Sequence, residues 1–377
     1  MSLPQGLVVG DFAFEYGGLS RGDADLLSEN VVQTYALPFS VAANFIIDDQ
    51  PVLVPMVTEE PSVVAAASKM AKIVSYAGGF RTRAHESVMK GQIQVVDVLD
   101  LDRAQGQFLA HQQYLKDYAQ SLCPRLVARG GGVLEIGMRI LKTKLGPMVI
   151  IEPEINVLDA MGANIINTIV EGLAPKVQEL FGGKVLLRIL SNLCDKRLVH
   201  ASCEIPYRAF ATDAAKDDGA QRARDMILAH VFAEHDPYRA VTHNKGIFNG
   251  IDAVAMATGN DTRAIEAAGH AYAVQHGYKP LTRFVLDEER TLMRAELTLP
   301  LAVGVVGGIT QRHKGVRLAH KMLGSFAQSS QGLASVMASV GLAQCLAAVA
   351  ALCQEGIQKG HMKLHNKKHV FPPMSFR

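Results

Sequence analysis

The sequence predicts an α+β protein in which a small βαββαβ unit is inserted into a larger, mostly helical domain. Three observations predict this. The chain has 377 residues, enough for two domains or for one domain with an insertion. Residues 92–192 switch between strand-type and helix-type periodicity in a definite order. The flanking stretches, 1–91 and 193–360, carry mainly helical patterns.

Within the insertion, Gln92–Leu99 is rich in Ile and Val and reads as a strand. Asp102–Leu122 has helical residue types, and Gly130-Gly131-Gly132 marks a break. Val133–Leu141 alternates, with Leu134, Ile136, Met138 and Ile140 on one face and Glu135, Gly137 and Arg139 on the other. A turn at Lys144-Leu145-Gly146 joins it to a second strand, Pro147–Val157. Asp159 suits the N-cap of the next helix. That helix places Met161, Ile165, Ile166, Ile169, Val170, Leu173, Val177 and Leu180 at spacings of three and four. Gly182-Gly183 stops it, and Lys184–Leu190 is the closing strand. Strand, helix, strand, strand, helix, strand is the ferredoxin-like order. Outside the insertion, Pro61 fits the first turn of a helix over Val63–Val74. Asn260-Asp261 opens a helix through Ala264–Val274, and the Ala-rich segment 332–353 forms another.

Composition narrows the function classes. The formal charge is +2 and no long block of like charge occurs, so nothing points to nucleic acid or a membrane surface as partner. The five cysteines are odd in number and form no Cys-x-x-Cys, which argues against a disulfide framework or a zinc knuckle. The N-terminus does not read as a signal peptide. No uninterrupted apolar run reaches the roughly 20 residues of a membrane span, and Ser325–Cys353 reads as one or two buried helices. The expectation is a cytoplasmic protein.

Three stretches have the residue types of a reaction centre. In Val54–Ser62, Glu59 and Glu60 sit between apolar residues just before a helix. They are either solvated acids favoured by the helix dipole, or one is a carboxylic acid in an apolar pocket able to donate a proton near neutrality. In Asp236–Asp252, cationic, amide and imidazole side chains crowd a polar loop that runs into an apolar helix over Ala253–Gly259. A lysine beside a carboxylate there could stabilise an oxyanion formed on hydride attack; a plain Lys–Asp salt bridge is the alternative. In Glu355–His365, His361 follows a glycine and suits a general acid. His361, His365 and His369 fall at i, i+4 and i+8, but neighbouring lysines and the lack of Cys or carboxylate partners argue against a metal site. No Gly-x-Gly-x-x-Gly follows a strand, so a nicotinamide cofactor would need a non-Rossmann frame. The closest glycine cluster is Gly304–Gly308. Asp159–Asn164 at a helix N-terminus could hold a pyrophosphate on backbone N–H groups.

In this order the motifs resemble class II, bacterial-type 3-hydroxy-3-methylglutaryl-CoA (HMG-CoA) reductases. The resemblance rests on Glu29–Val32, Pro38, Val41-Ala42, Val54–Ser68, Asp159–Asn164, Arg188–Asn192, Asp236–Asp252, Thr258–Asp261, Gly304–Gly308 and Gly360-His361-Met362, and covers about residues 28 to 366. It implies reduction of HMG-CoA by two hydrides to mevalonate and CoA, through a mevaldyl-CoA hemithioacetal and mevaldehyde, or the reverse in mevalonate degradation. By resemblance Lys245 stabilises the oxyanion, Glu60 donates a proton to the carbonyl oxygen, Asp261 contacts and tunes both, and His361 protonates the departing thiolate. Ser62, Arg239 and Asn249 match contacts to the HMG moiety, Arg239 pairing with its free carboxylate. Asp159, Met161, Gly162, Asn164 and Asn192 match the cofactor side, which makes 92–192 the NAD(P)-binding domain and 1–91 with 193–360 the substrate-binding and dimerisation domain. The family's active sites form between subunits, so a homodimer or larger homo-oligomer is implied.

The sequence departs from the family pattern in three places. Gln33 replaces a usual glycine. Cys123-Pro124-Arg125 falls where NADH-specific members carry an aspartate for the ribose 2′-hydroxyl, and with Arg125 and Arg129 there NADPH is favoured over NADH. Residues 361–377 stand where the family usually continues into a helical flap. The alternative reading is therefore a catalytically impaired HMG-CoA or acyl-CoA-binding relative. Glu60, Lys245, Asp261 and His361, all present, argue for the enzyme.

Overall fold

A computed structural model describes residues 19–211, 218–275, 277–310, 312–354 and 356. Residues 88–190 build one antiparallel sheet: β4 (Val88–Val96), β5 (Gly132–Thr143), β6 (Gly146–Asn156) and β7 (Lys184–Leu190), in spatial order β5-β6-β4-β7. Two helices, α3 (Leu101–Ser121) and α5 (Ala163–Phe181), connect β4 to β5 and β6 to β7. A four-residue helix, α4 (Pro124–Val127), falls between α3 and the glycine run. Ile93, Val95, Val149, Ile151 and Ile155 from the sheet and Phe108, Leu115, Ile166, Val170 and Leu173 from the helices share one core.

Two local expectations change. A β-bulge between Val133 and Glu135 breaks the alternation of β5: Val133 is buried and Leu134 is turned out. Asp159 does not cap α5. Gly162 does, with φ 109°, a left-handed conformation open to glycine. The Asp159 carboxylate instead accepts from the backbone N–H of Ser330 at 2.9 Å.

Among the described residues the flanking parts contain helices, but six strands as well, which the mostly helical expectation did not include. β1 (Phe39–Ile47) and β2 (Gln50–Val57) form a hairpin whose two loop residues, Asp48 and Asp49, both have positive φ. β3 (Arg81–Ala84), β8 (Leu198–Pro206), β9 (Thr282–Asp287) and β10 (Leu292–Pro300) form an antiparallel sheet in the order β3-β8-β10-β9. β8 alternates in burial along its whole length, the two-residue period of a half-buried strand. His200, Ser202 and Glu204 alternate with Val199, Ala201, Cys203 and Ile205, so the period is present in the sequence although the flank as a whole reads as mostly helical.

The helices of this part are α1 (Arg21–Leu27), α2 (Val63–Ser75), α6 (Gly219–His235), α7 (Pro237–Ala257), α8 (Thr262–Ala273), α9 (Lys314–Leu323) and α10 (Ser330–Cys353). The 24 residues of α10 are long and apolar enough to cross a membrane, yet most of the helix is enclosed by the protein. Leu333, Val336, Met337, Val340, Leu342 and Leu346 are buried on all sides of it, which is how a central core helix of a globular domain reads. Helices α7 and α2 pack on it, and through them the core fixes the elements that carry Glu60 and Lys245.

Candidate active site

Asp236 caps α7 by accepting from the N–H of Arg239, and Pro237 occupies the first turn. The stretch expected to be a polar loop is therefore helix throughout. Lys245, Asn249 and Asp252 consequently stand at i, i+4 and i+7 on one face. Opposite them, β2 ends and Glu60 precedes α2. The Lys245 Nζ lies 3.2 Å from Glu60 Oε2, and Asn249 Nδ2 lies 3.5 Å from Glu60 Oε1. The lysine and glutamate side chains are 60% and 40% exposed, so this pair adds at most about 1 kcal/mol to stability. Its interest is chemical: a cation and a carboxylate face the same open space.

Ser62 adjoins them. It caps α2 in a left-handed conformation, φ 77°, without using its side chain for the cap. Its Oγ is buried and has no hydrogen-bond partner among the described residues. A strained serine with a buried, unmet hydroxyl two residues from Glu60 suits a group that meets a ligand. On the first turn of α7, the Arg239 side chain has no hydrogen bond or ion pair among the described residues. One turn past Asn249, burial pushes the Asp252 carboxyl up to about 8; the neighbouring Glu266 adds to this and Lys245 opposes it.

Asp261 stands apart from this cluster. It caps α8, accepting from the N–H groups of Arg263 and Ala264, and lies 3.4 Å from Arg263 Nε. Neither Lys245 nor Glu60 bonds to it among the described residues, so the expected contact of Asp261 with both is not formed within one chain. His243, two residues from Lys245, faces the opposite way. It is 2% exposed, with Nε2 2.6 Å from Thr282 Oγ1 and 3.2 Å from Cys345 Sγ. Burial, with His230 and Arg239 close by, pushes its pKa down to about 3, and burial pushes the Cys345 thiol up to about 12. The couple is neutral core rather than a nucleophile–base pair. His361, with His365 and His369, lies outside the described residues. Among the described residues, no group of three or more His, Cys, Asp or Glu is placed to hold a metal.

A second cleft, of about 1120 Å³, opens between α4, the start of α5 and the Gly304–Gly308 segment. Arg125, Asp159, Met161, Gly162 and Asn164 line it, together with Arg129, Thr168, Gly307 and Gly308. Asn192 does not; it is exposed just after β7. The loop is held close to its neighbour: a Cβ on Gly304 would stand 2.4 Å from the Met161 backbone nitrogen. Arginines at one end and glycine-edged backbone at the other fit a phosphate-bearing dinucleotide. Gly307 and Gly308 had a signal in the sequence, their glycine cluster. Thr168 had none, being one polar residue on an amphipathic helix.

The model of the family described as hydroxymethylglutaryl-coenzyme A reductase matches residues 11–366. The chain belongs to that family. The 3-hydroxy-3-methylglutaryl-coenzyme A reductase of Archaeoglobus fulgidus is 44% identical over 348 residues, 92% of this chain and 78% of that protein. A solved structure of the reductase from Streptococcus pneumoniae is 44% identical with a TM-score of 0.85, covering 92% of this chain and 81% of that one. A class II reductase from the same organism, bound to NADPH in open conformations, is 43% identical with a TM-score of 0.83, covering 87% of this chain and 88% of that one. The reductase family is thus matched by sequence and by fold across the same stretch of chain.

Proposed function

We propose that this chain is an HMG-CoA reductase that takes HMG-CoA and two NADPH to mevalonate and CoA, consuming two protons. The observation that carries the reading is the Glu60–Lys245–Asn249 cluster, in a chain of this family. When bound, the reduced nicotinamide supplies hydride. This chain's residues do the rest. The Lys245 ammonium stabilises negative charge developing on the carbonyl oxygen. Glu60, within reach of the same atom, delivers the proton that neutralises it. Asn249 holds Glu60 in place, and Ser62 and Arg239 bind the HMG moiety, the arginine through its free carboxylate. Asp261 supports this centre, and His361 protonates the thiolate as CoA leaves.

Residues 92–192 act as a non-Rossmann cofactor domain inserted into the substrate-binding domain formed by 1–91 and 193–360. Arg125, Asp159, Met161, Gly162 and Asn164 hold the dinucleotide, with Asn192 at its edge. NADPH is preferred over NADH because Arg125 and Arg129 line the cleft and suit a 2′-phosphate. The working unit is a homodimer in the cytoplasm. Exposed Leu228, Phe232, Tyr238 and Val241, beside Arg239, support a second copy covering that face and completing the site.

The deciding experiment mixes protein, HMG-CoA and NADPH and follows absorbance of the reduced cofactor. Loss that depends on HMG-CoA is expected, and mevalonate should accumulate at half the amount of NADPH consumed. Binding of HMG-CoA without turnover would overturn the proposal.

A further inference from the structure

Arg197 lies at the start of β8 and is 4% exposed, which is rare for an arginine without a carboxylate bonded to it. Its guanidinium is spent on three backbone carbonyls. Nη1 donates to Met161 O at 3.0 Å, and Nη2 donates to Ala160 O at 3.1 Å and to Val303 O at 2.5 Å. Two of these carbonyls belong to the loop that lines the dinucleotide cleft, and the third to the irregular segment between β10 and Gly304–Gly308, the cleft's opposite wall.

Backbone contacts join the two walls directly. The N–H of Val305 donates to Asp159 O at 2.9 Å, Ala160 and Val306 form an isolated parallel bridge, and Gly304 packs against residues 159–161. From Gly304 the connection runs on to the other half of the site. Asn260 donates to Gly304 O at 3.2 Å and accepts from its N–H at 2.7 Å, and the next residue is Asp261. A planar cation with donors in a rigid fork can span several carbonyls at fixed separations; an ammonium cannot. Burying such a cation with carbonyls as its hydrogen-bond partners is costly, and burial pushes its pKa down to about 10. A residue needed only to fill that space would be apolar.

We infer that Arg197 is a positioning residue: it sets the register of the Asp159–Gly162 loop against the 303–308 segment, and so against Asp261, and thereby fixes where the dinucleotide sits relative to the reacting carbonyl. Arg197 does not itself line the cleft; it acts through residues 160, 161 and 303. This inference rests on the cofactor reading of the cleft given above.

The test compares wild type, Arg197→Lys and Arg197→Ala, each checked for folding by circular dichroism and thermal melting. NADPH affinity is read from the fluorescence of the bound dinucleotide, in a chain that has no tryptophan to interfere. Arg197→Lys is expected to bind NADPH roughly tenfold more weakly and Arg197→Ala up to ~100-fold more weakly, as misplacement of a positioned group by about 1 Å predicts. HMG-CoA affinity should change less than twofold. Without any ligand, amides of residues 159–164 should exchange faster in both variants than in wild type. Guanidinium at millimolar concentration should restore part of the NADPH affinity of Arg197→Ala and none of that of Arg197→Lys. A merely structural role would lower melting temperature and leave NADPH affinity of the folded fraction unchanged. That result in Arg197→Lys, with unaltered loop exchange, would overturn the inference. Wild type that binds no NADPH would overturn the cofactor reading instead, while faster loop exchange in the variants would still report the clamp.

Discussion

The two halves of the site are built from different materials. The Glu60–Lys245–Asn249 half consists of side chains, presented by one face of α7 and by the β2–α2 junction, over a core organised by α10. The cleft proposed to take the dinucleotide rests on backbone geometry: a left-handed glycine, a loop against a glycine segment, and a buried arginine holding both from behind. A side-chain centre tolerates shifts in its support but fails when one group is removed. A backbone-framed cleft depends on register, and charged lining side chains such as Arg125 add affinity to it. Substitutions should therefore act on rate in the first half and on cofactor affinity in the second.

The largest effect is expected at Lys245. Lys245→Ala should lower kcat by about 10²–10³ or more, the cost of one oxyanion-stabilising group, with folding and NADPH affinity intact. A near-normal rate would remove the mechanism. Glu60→Gln keeps shape and removes the proton; a loss of about 10²–10⁴ in kcat is expected, with little change in KM for HMG-CoA. In the other half, Arg125→Ala should raise KM for NADPH roughly tenfold and leave KM for NADH within about twofold, because only the 2′-phosphate is lost as a partner. Equal changes for both cofactors would place Arg125 elsewhere on the dinucleotide.

Smaller effects concern stability. His243 is neutral in the folded chain down to about pH 3, whereas an unfolded histidine charges near 6.5. Its stabilising contribution is complete above pH 6.5 and is lost as pH falls toward 3, about 2 kcal/mol of it by pH 5. Urea unfolding at pH 7 and pH 5 should show at least that loss, and His243→Asn should reduce it. Asp252 has the opposite sign: its folded pKa is raised to about 8, so it penalises the fold increasingly as pH rises from about 4 to 8. The melting temperature of Asp252→Asn relative to wild type should climb across that window; parallel curves would count against a protonated Asp252. Least in size, Ser62→Gly should relieve the left-handed strain and raise stability by up to about 1 kcal/mol, while raising KM for HMG-CoA.

Much of the inserted βαββαβ unit was legible because its elements obey simple periods. Its strand and helix order could be read, but the first strand starts four residues earlier than Gln92, α4 had no reading, and the bulge at Leu134 and the true cap of α5 were misjudged. The last two errors have one origin: a single backbone residue that leaves its expected conformation changes the face of everything beside it. The flanking sheet went unread although β8 alternates, because its buried positions include Ala201 and Cys203, which carry little strand preference of their own. The segment around Lys245 looked like a loop because of its polar residues. In a helix those residues divide between two faces, one toward Glu60 and one, with His243, into the core.

By itself the sequence determined the family, the order of the elements within residues 92–190 and the identity of the charged groups Glu60, Lys245 and Asp261, because these depend on residue type and spacing along the chain. Only the tertiary structure decided which of them meet. It paired Lys245 with Glu60 across 185 residues, left Asp261 as a helix cap, turned His243 inward and buried Arg197 beneath the Asp159–Gly162 loop. Those outcomes depend on how α2, α7 and β8 are packed, and packing is set by contacts between residues far apart in the chain, which no local pattern records.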